Sequence, residues 1–468
     1  MLIGVGTLRR GHEWGDDFAW YILQAKSILN GSTNEFIQTS TFTNNESSTY
    51  VGPLAYPWGY PLILTPAYVI KGINPLALKL PALIFYAGFL VCLYGLVKMR
   101  LSRMESLLFV CLFAFNPLLL IFLDQILSDI PFLFFSTLSL WLIMQYEKHS
   151  MLDYAALGFS IACAFFIRTS GILLLASFFT GELLTAWKDK ANQGTIKKHA
   201  LNILVVGGTF GLSWLLYALL LPGGGESYFA QYQDFQIGTA LKFVSEYFRV
   251  FSRFFGEHKV WRNIYYALFA FFLVGLWKRK WEDLIFIVFF ILWMILLITW
   301  PSWQGPRFIF PVMPIFIYFT FQGMKFVLGK LPEKHAPIGQ WVFSGFWSVV
   351  TIIFLFNSAV NAYANLQNDR TINGPFDPYS KEVYKYIQDN TPADSIIVFF
   401  KPRVMRLMTD RNSLMSVECN RVLKGDYLVL SRKVGENQQI PPEEIDSCNL
   451  PLDQVFKNTR FIIYEIQK

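Results

Sequence analysis

Apolar runs of nearly bilayer-crossing length follow one another between residues 76 and 360, separated by short connectors that hold most of the local charge. The runs are Leu76 to Val97, Ser106 to Leu123, Ile130 to Tyr146, Leu201 to Leu221, Ile264 to Trp277, Leu284 to Trp300, Phe308 to Val327 and Trp341 to Val360. A helix needs about 20 such residues to span a bilayer. One further block, Asp153 to Trp187, is interrupted by Arg168; it is too short for two full spans and too long for one. Lys and Arg prefer cytoplasmic connectors. The basic connectors are Lys98 to Arg103, Glu147 to Ser150, Lys188 to Lys198, Lys278 to Lys280 and Lys325 to Lys334. Two of them bracket the interrupted block, so its ends share a side and it forms a hairpin of two short helices. Arg168 and Gly171 then lie at the tip, on the opposite face.

With this assignment about ten crossings alternate without contradiction, and the poorly basic connectors all fall outside. These are Gly11 to Tyr60, Asp124 to Asp129, the Arg168 tip, Pro222 to Trp261, Pro301 to Pro306 and everything after Asn361. The first of them opens with GHEWGDDFAWYILQAKSILNG, in which Asp16 and Asp17 stand at the mouth of a short helix. A polar run, Ser32 to Tyr50, follows, and then a Pro/Gly/aromatic segment, Gly52 to Tyr68, expected as an ordered surface loop leading into the membrane. Met1 to Leu8 is too short to span and lacks a signal-peptide core. Because the written N-terminus falls outside, a preceding first helix is expected to be missing from the sequence.

In the Pro222 to Trp261 loop, Phe243, Tyr247, Val250, Phe251 and Phe254 recur at helical spacing against Lys242, Glu246, Arg249 and Arg253. Such a helix either lies on the bilayer surface or packs on neighbouring loops. After Asn361 the pattern turns soluble. PYSKEVYKYIQDN reads as an amphipathic helix, and SIIVFF, DYLVLS and RFIIYEIQ read as strands. The expected fold class is therefore an α-helical polytopic membrane protein, residues 1–360, with a small C-terminal extracytoplasmic α/β domain, residues 361–468.

Composition agrees: 54% of the 468 residues are hydrophobic and 16% charged. The net charge of +7 reports topology, since the cations sit in connectors and form no nucleic-acid patch. Of five cysteines only Cys419 and Cys448 share a polar region, where they would pair if that region faces an oxidising compartment.

The outer face also collects the ionisable groups: Asp16 and Asp17, Asp124 and Asp129, Arg168, and Arg307 in WQGPRFIFPVMP. Next to hydrocarbon each must face a cavity or a partner. Simpler roles stand beside catalytic ones. Asp16 and Asp129 are both placed to cap helices, Arg307 to snorkel, and Trp14, Trp20, Trp58, Trp300 and Trp303 to form an interface belt.

GDDFAWYILQAKSIL resembles the first-loop motif of the GT-C superfamily of polyprenyl-phosphate-sugar glycosyltransferases, which includes lipid A aminoarabinose transferases and protein O-mannosyltransferases. Counting from Asp17, Tyr21 and Ala25 occupy the family's aromatic and small positions. Phe18 stands where the second acid of the family's Asp-Glu pair would be, which leaves Asp16 as its substitute or as a cap. YPWGYPLILTPAYVIKG, LSDIPFLFF, IRTSGILLL and QGPRFIFPVMP resemble further family segments in family order.

The resemblance implies transfer of a sugar, with inversion, from a polyprenyl-phosphate donor to a lipid, glycan or protein acceptor on the outer face of the plasma (inner) membrane. It implies Asp17 as general base, its pKa raised by desolvation near the bilayer. Arg307 and then Arg168 would hold the lipid phosphate. Asp129 and Asp124 would orient the base or bind sugar, and His258, with Glu257, would approach from the large outer loop. Asp129 and Asp17 are the candidate ligands if Mg2+ or Mn2+ is used. The rival class is a transporter or lipid flippase, disfavoured by the lack of an internal repeat and by carboxylates clustered on one side.

Overall fold

The computed structural model describes residues 2–145, 150–188, 193–224, 235–432 and 438–467. Most of the basic connector Glu147 to Ser150, the stretch 189–192 of the next one and residues 225–234 of the large outer loop lie outside the described residues.

Among the described residues six helices are long and apolar enough to cross a membrane: Pro75–Val97, Thr169–Lys188, Ile196–Leu220, Lys259–Arg279, Pro306–Leu328 and Glu333–Gln367. A seventh span is the pair Arg103–Ala114 and Pro117–Leu123, bent by 53°. Its break falls at Asn116, whose side-chain oxygen accepts from the Leu119 N–H at 3.2 Å and starts the second piece, with Pro117 at its first position. Three shorter apolar helices, Asp129–Met144, Met151–Ile167 and Leu284–Thr299, complete the set, so each expected run has its helix. Met151–Ile167 and Ile172–Lys188 form the expected hairpin, and Arg168 terminates its first arm.

Helices Lys259–Arg279 and Pro306–Leu328 meet at Gly275 and Gly323, where a Cβ would stand 1.9 Å from the Phe319 carbonyl oxygen and 1.8 Å from that of Phe271. In hydrocarbon, where apolar surface alone gives helices no reason to associate, small residues allow such close backbone packing. Gly323→Ala must push the two helices apart. We expect it to destabilise the protein by about 1–3 kcal/mol, as over-packing does, seen as a lower thermal midpoint in detergent; an unchanged midpoint would refute this account of the crossing.

The segments before residue 72 depart from their sequence reading in two places. The polar run is a helix, Thr33–Glu46, despite its poor intrinsic propensity. Phe36, Ser40 and Thr43 bury one face, and hydroxyls of Thr39, Ser40, Thr41 and Ser47 bond back to carbonyls four residues earlier. The Pro-rich segment is a loop only to Trp58, after which Gly59–Lys71 is helical with Pro61 in its first turn. Helix Ile237–Val250 buries Ala240, Phe243, Tyr247 and Val250 against helix Leu284–Thr299 and the turn Pro306–Val312. The packed reading therefore holds for it.

The C-terminal region carries a five-stranded sheet of β1 (Ile396–Phe399), β2 (Asn412–Leu414), β3 (Tyr427–Ser431), β4 (Leu452–Lys457) and β5 (Phe461–Ile466), in the order β2-β1-β3-β5-β4. β1 runs parallel to β2 and β3, with Val398 opposite Leu414 and Leu428, whereas β5 is antiparallel to β3 and β4. The expected helix is Pro378–Asn390, capped by Asp377. Cys419 and Cys448 form a disulfide. Trp14 from the first outer loop stacks near Phe400, at 4.9 Å, and Phe399 and Phe461 surround it, so one core runs from the helical bundle into the sheet.

Candidate active site

Asp17 is the first residue of helix Asp17–Asn30, which is buried along most of its length by Phe18, Trp20, Tyr21, Ile22 and Ala25. Gln24 on the same helix ties down the Pro-rich loop, donating to the Tyr56 carbonyl at 2.8 Å and accepting from its N–H at 3.1 Å. This clamp turns the Tyr56 hydroxyl onto Asp17 Oδ1, to which it donates at 2.6 Å. The other oxygen, Oδ2, accepts from Arg307 Nη2 at 3.1 Å.

Arg307 is delivered by the turn Pro306–Val312, entered through Gly305 at φ 79°. Its second terminal nitrogen lies 3.8 Å from Asp129 Oδ2. Asp129, buried at the start of its helix, pairs with Arg168 at 2.9 Å, a charge contact out of hydrogen-bond alignment. Arg168 donates through Nε to Ser128 Oγ at 2.9 Å, and Ser128 is 3.1 Å from the Tyr21 hydroxyl. The Arg168 guanidinium also lies 4.9 Å from the Phe308 ring. Four of the expected residues, Asp17, Asp129, Arg168 and Arg307, thus converge from four separate chain segments. Two carboxylates alternate with two guanidiniums at one end of the bundle.

The other expected residues sit apart. Asp16 holds the N-cap position of the site helix but makes no capping bond; it faces Lys401 at 3.7 Å, and its Oδ1 is buried without a hydrogen-bond partner. Asp129 is a first helical residue, and Ser128 takes the cap position. Asp124 accepts from the Arg9 side chain at 2.5 Å, the Arg9 N–H at 2.7 Å and Lys79 at 2.7 Å. Lys79 is fully buried and also donates to the carbonyls of Arg9 and Gly11. Asp124 therefore fixes the first outer segment to the bundle. His258 is exposed, accepts from the Val260 N–H, and lines a cleft with Arg253, Asn357 and Asn361 that shares no residue with the carboxylate–arginine cluster. Trp20 and Trp58 are buried, not belt residues.

Electrostatics divide the acidic pair. Burial pushes the Asp17 carboxyl up, but the Arg307 charge, the Tyr56 hydrogen bond and the Arg403 charge together hold it below the ordinary carboxylate range. This reverses the expected rise, because desolvation at this position comes with paired cations. Asp16 is raised: burial dominates, and Lys401 and Arg403 only partly offset it. His12, beside the pair, is pressed down to about 3 by burial and stays neutral. Its Nδ1 bonds the Glu13 carbonyl at 2.8 Å while Nε2 accepts from the Ile126 N–H at 3.1 Å, so it joins the two outer segments.

A divalent ion fits poorly here. Asp17 and Asp129, the two candidate ligands, share Arg307 between them, and an ion there would have to displace the guanidinium. Among the described residues no three His, Cys, Asp or Glu side chains form a metal-binding group.

Sequence reading did not find Tyr56, Ser128, His12, Lys401 or Arg403. The first three lie within or beside recognised segments but carry no spacing signal of their own. The last two lie more than 380 residues from Asp17 in a region without a motif.

Residues 55–217 match a family model described as dolichyl-phosphate-mannose-protein mannosyltransferase. No curated protein sequence matches the chain. Among solved structures, ArnT from Cupriavidus metallidurans bound to undecaprenyl phosphate is similar with a TM-score of 0.63 at 13% identity, over 99% of this chain and 96% of that one. The Archaeoglobus fulgidus oligosaccharyltransferase in complex with zinc and sulfate gives 0.58 at 12% identity, over 88% of this chain and 61% of its own. The same organism's AglB with an inhibitory peptide and a dolichol-phosphate gives 0.54 at 12%, over 88% and 63%. The helical body with its small C-terminal sheet is thus a GT-C fold. The shared fold bears out the expected α-helical polytopic class with its small C-terminal α/β region, and the matched segment lies within the helical body.

Proposed function

We propose that the chain transfers a sugar from a polyprenyl phosphate to an acceptor hydroxyl or amine at the outer membrane surface, with Asp17 as the proton acceptor. The single observation that carries this is the alternation of Asp17, Arg307, Asp129 and Arg168 at one end of the bundle. That ArnT binds undecaprenyl phosphate supports a lipid-phosphate site in the shared fold.

The acceptor's heteroatom forms its bond to the anomeric carbon as the carbon–oxygen bond to the phosphate breaks. The bonding pair leaves with the polyprenyl phosphate, and the acceptor's proton passes to Asp17. Attack opposite the leaving phosphate inverts the anomeric centre. Arg307 and Arg168 meet the charge that gathers on the phosphate. Asp129 holds both guanidiniums in place before the donor arrives.

Arg307 couples the two halves of the step. It is the largest of the influences holding Asp17 down. When a phosphate takes a share of its charge, Asp17 becomes more basic, and so gains proton affinity once donor is bound. Each carboxylate oxygen keeps a lone pair beyond its present partner for the acceptor proton. The test is release of polyprenyl phosphate, matched by glycosylated acceptor, from a panel of polyprenyl-phosphate hexoses and pentoses, and its loss in Asp17→Asn.

The cluster and the C-terminal sheet are proposed to face the extracytoplasmic side of the plasma membrane. Supporting this are the five basic connectors on the opposite side and the Cys419–Cys448 disulfide, which suits an oxidising compartment. Reporter fusions at Gly194 and Gly329 are expected to read cytoplasmic and one at Asp377 external. The opposite pattern would put the site on the wrong face.

A further inference from the structure

The segment Lys401-Pro402-Arg403 belongs to the C-terminal region, yet both of its cations reach the acidic pair. Lys401 lies 3.7 Å from Asp16. Arg403, only 1% exposed, donates from Nη2 to the Pro53 carbonyl at 2.9 Å and from Nη1 to the Tyr56 hydroxyl at 3.5 Å. Its guanidinium lies 4.4 Å from the Trp20 ring, so it is wedged between the site helix and the Pro-rich loop. At Gly52, φ is 138° and an added Cβ would stand 2.7 Å from Arg403 Nη2. The loop thus takes this path at the point where the guanidinium meets it. Helix Pro402–Thr409, which starts at this segment, packs on the site helix.

We propose that Arg403 is a positioning residue of the active site: it holds the Pro-rich loop and the Tyr56 hydroxyl so that the hydroxyl donates to Asp17, making the C-terminal region a working part of the catalytic end. Lys401 acts in parallel on Asp16. This inference rests on the proposed role of Asp17. The mechanism is local. A full charge this deep is desolvated, and three contacts are named for it: a backbone carbonyl, a phenol and an aromatic face. Removing it frees the loop, and Tyr56 loses one of the contacts that aim its hydroxyl. The charged and titratable groups facing Asp17 are Arg307, Tyr56, Arg403, Tyr21, Asp16 and His12. Of these, Tyr56 and Arg403 both favour its ionised form, and both act through the same loop.

The test uses the full chain in lipid nanodiscs and a pH profile of sugar transfer from polyprenyl-phosphate donor. Tyr56→Phe, which removes one hydroxyl, and Arg403→Met, which keeps bulk over Trp20, are both expected to move the acid limb to higher pH. On the acid limb, at pH values below both the original and the shifted pKa, the rate relative to that at pH 7 should fall about tenfold, a one-unit shift. Arg403→Lys should recover part of the loss. The double variant should be no worse than the more severe of the two single variants, because the two act on one path. An acid limb left in place in folded Tyr56→Phe and Arg403→Met, or strictly additive losses, would overturn the positioning role. A wild-type rate equalled by Asp17→Asn would instead sink the proposed function, so the two failures are distinguishable.

Discussion

Asp17→Asn is expected to fold and to lose at least a hundredfold in sugar transfer, since a positioned proton acceptor contributes about 10²–10⁴ in rate. The isosteric amide can still accept from Arg307 through its oxygen while its NH2 faces the Tyr56 hydroxyl, which can turn to accept, so the helix and loop keep their places. What vanishes is the negative charge that takes the acceptor's proton and balances Arg307. The pH dependence follows from the direction of the shift. A carboxyl held below its ordinary value favours the folded state above the ordinary carboxylate range, and that contribution is lost as pH falls through the lowered value. Wild-type activity should therefore show no acid limb from Asp17 near pH 5. Asp16→Asn is the companion measurement: Asp16 is raised, faces Lys401 and touches neither site arginine, so its loss is expected to be much the smaller. If Asp16→Asn abolished transfer while Asp17→Asn spared it, the base would be Asp16.

Asp124→Ala is expected to act on stability in place of chemistry. Asp124 and Lys79 are a buried ion pair, 4% and 0% exposed at their side chains. Breaking such a pair by removing one partner leaves an uncompensated charge and costs about 3–5 kcal/mol. Lys79 would keep only the carbonyls of Arg9 and Gly11, and the first outer segment, which leads to Asp17, would lose its anchor. The expected result is a marked fall in thermal midpoint in detergent. Lys79→Met in the same background should recover much of it, because the stranded charge goes too. A double variant no more stable than Asp124→Ala, or a normal midpoint in the single variant, would show that the pair does not hold this segment. Asp124 stands five residues before Asp129 in one short loop, DQILSD, yet one carboxylate meets a buried lysine and the other the two site arginines.

The sequence by itself determined the transmembrane plan. Hydrocarbon admits only long apolar runs with their backbone bonds satisfied within the helix, and cations collect between them on one side; both leave periodic marks along the chain. The hairpin with Arg168 at its tip and the grouping of Asp17, Asp129, Arg168 and Arg307 on one side were legible for that reason, and the strands β1, β3 and β5 through their short β-rich runs. The helix Thr33–Glu46 and the strands β2 and β4 were not. Thr33–Glu46 and β2 take these states through burial against partners distant in sequence: Thr43, for example, donates to the Ser413 carbonyl, 370 residues away, whereas β4, with no buried residue, forms through its ladder with β5.

Only the tertiary structure decided which acid does what. Asp16, Asp17, Asp124 and Asp129 are the same chemical group. Their roles separate through the cation each one meets: Lys401, Arg307, Lys79 and Arg168. The sign of the Asp17 shift belongs to the same class of fact. Desolvation is legible from a carboxylate beside apolar sequence, but the paired charge that outweighs it arrives from residues 307 and 403. A charge interaction depends on distance through space, and no pattern along the chain encodes that distance.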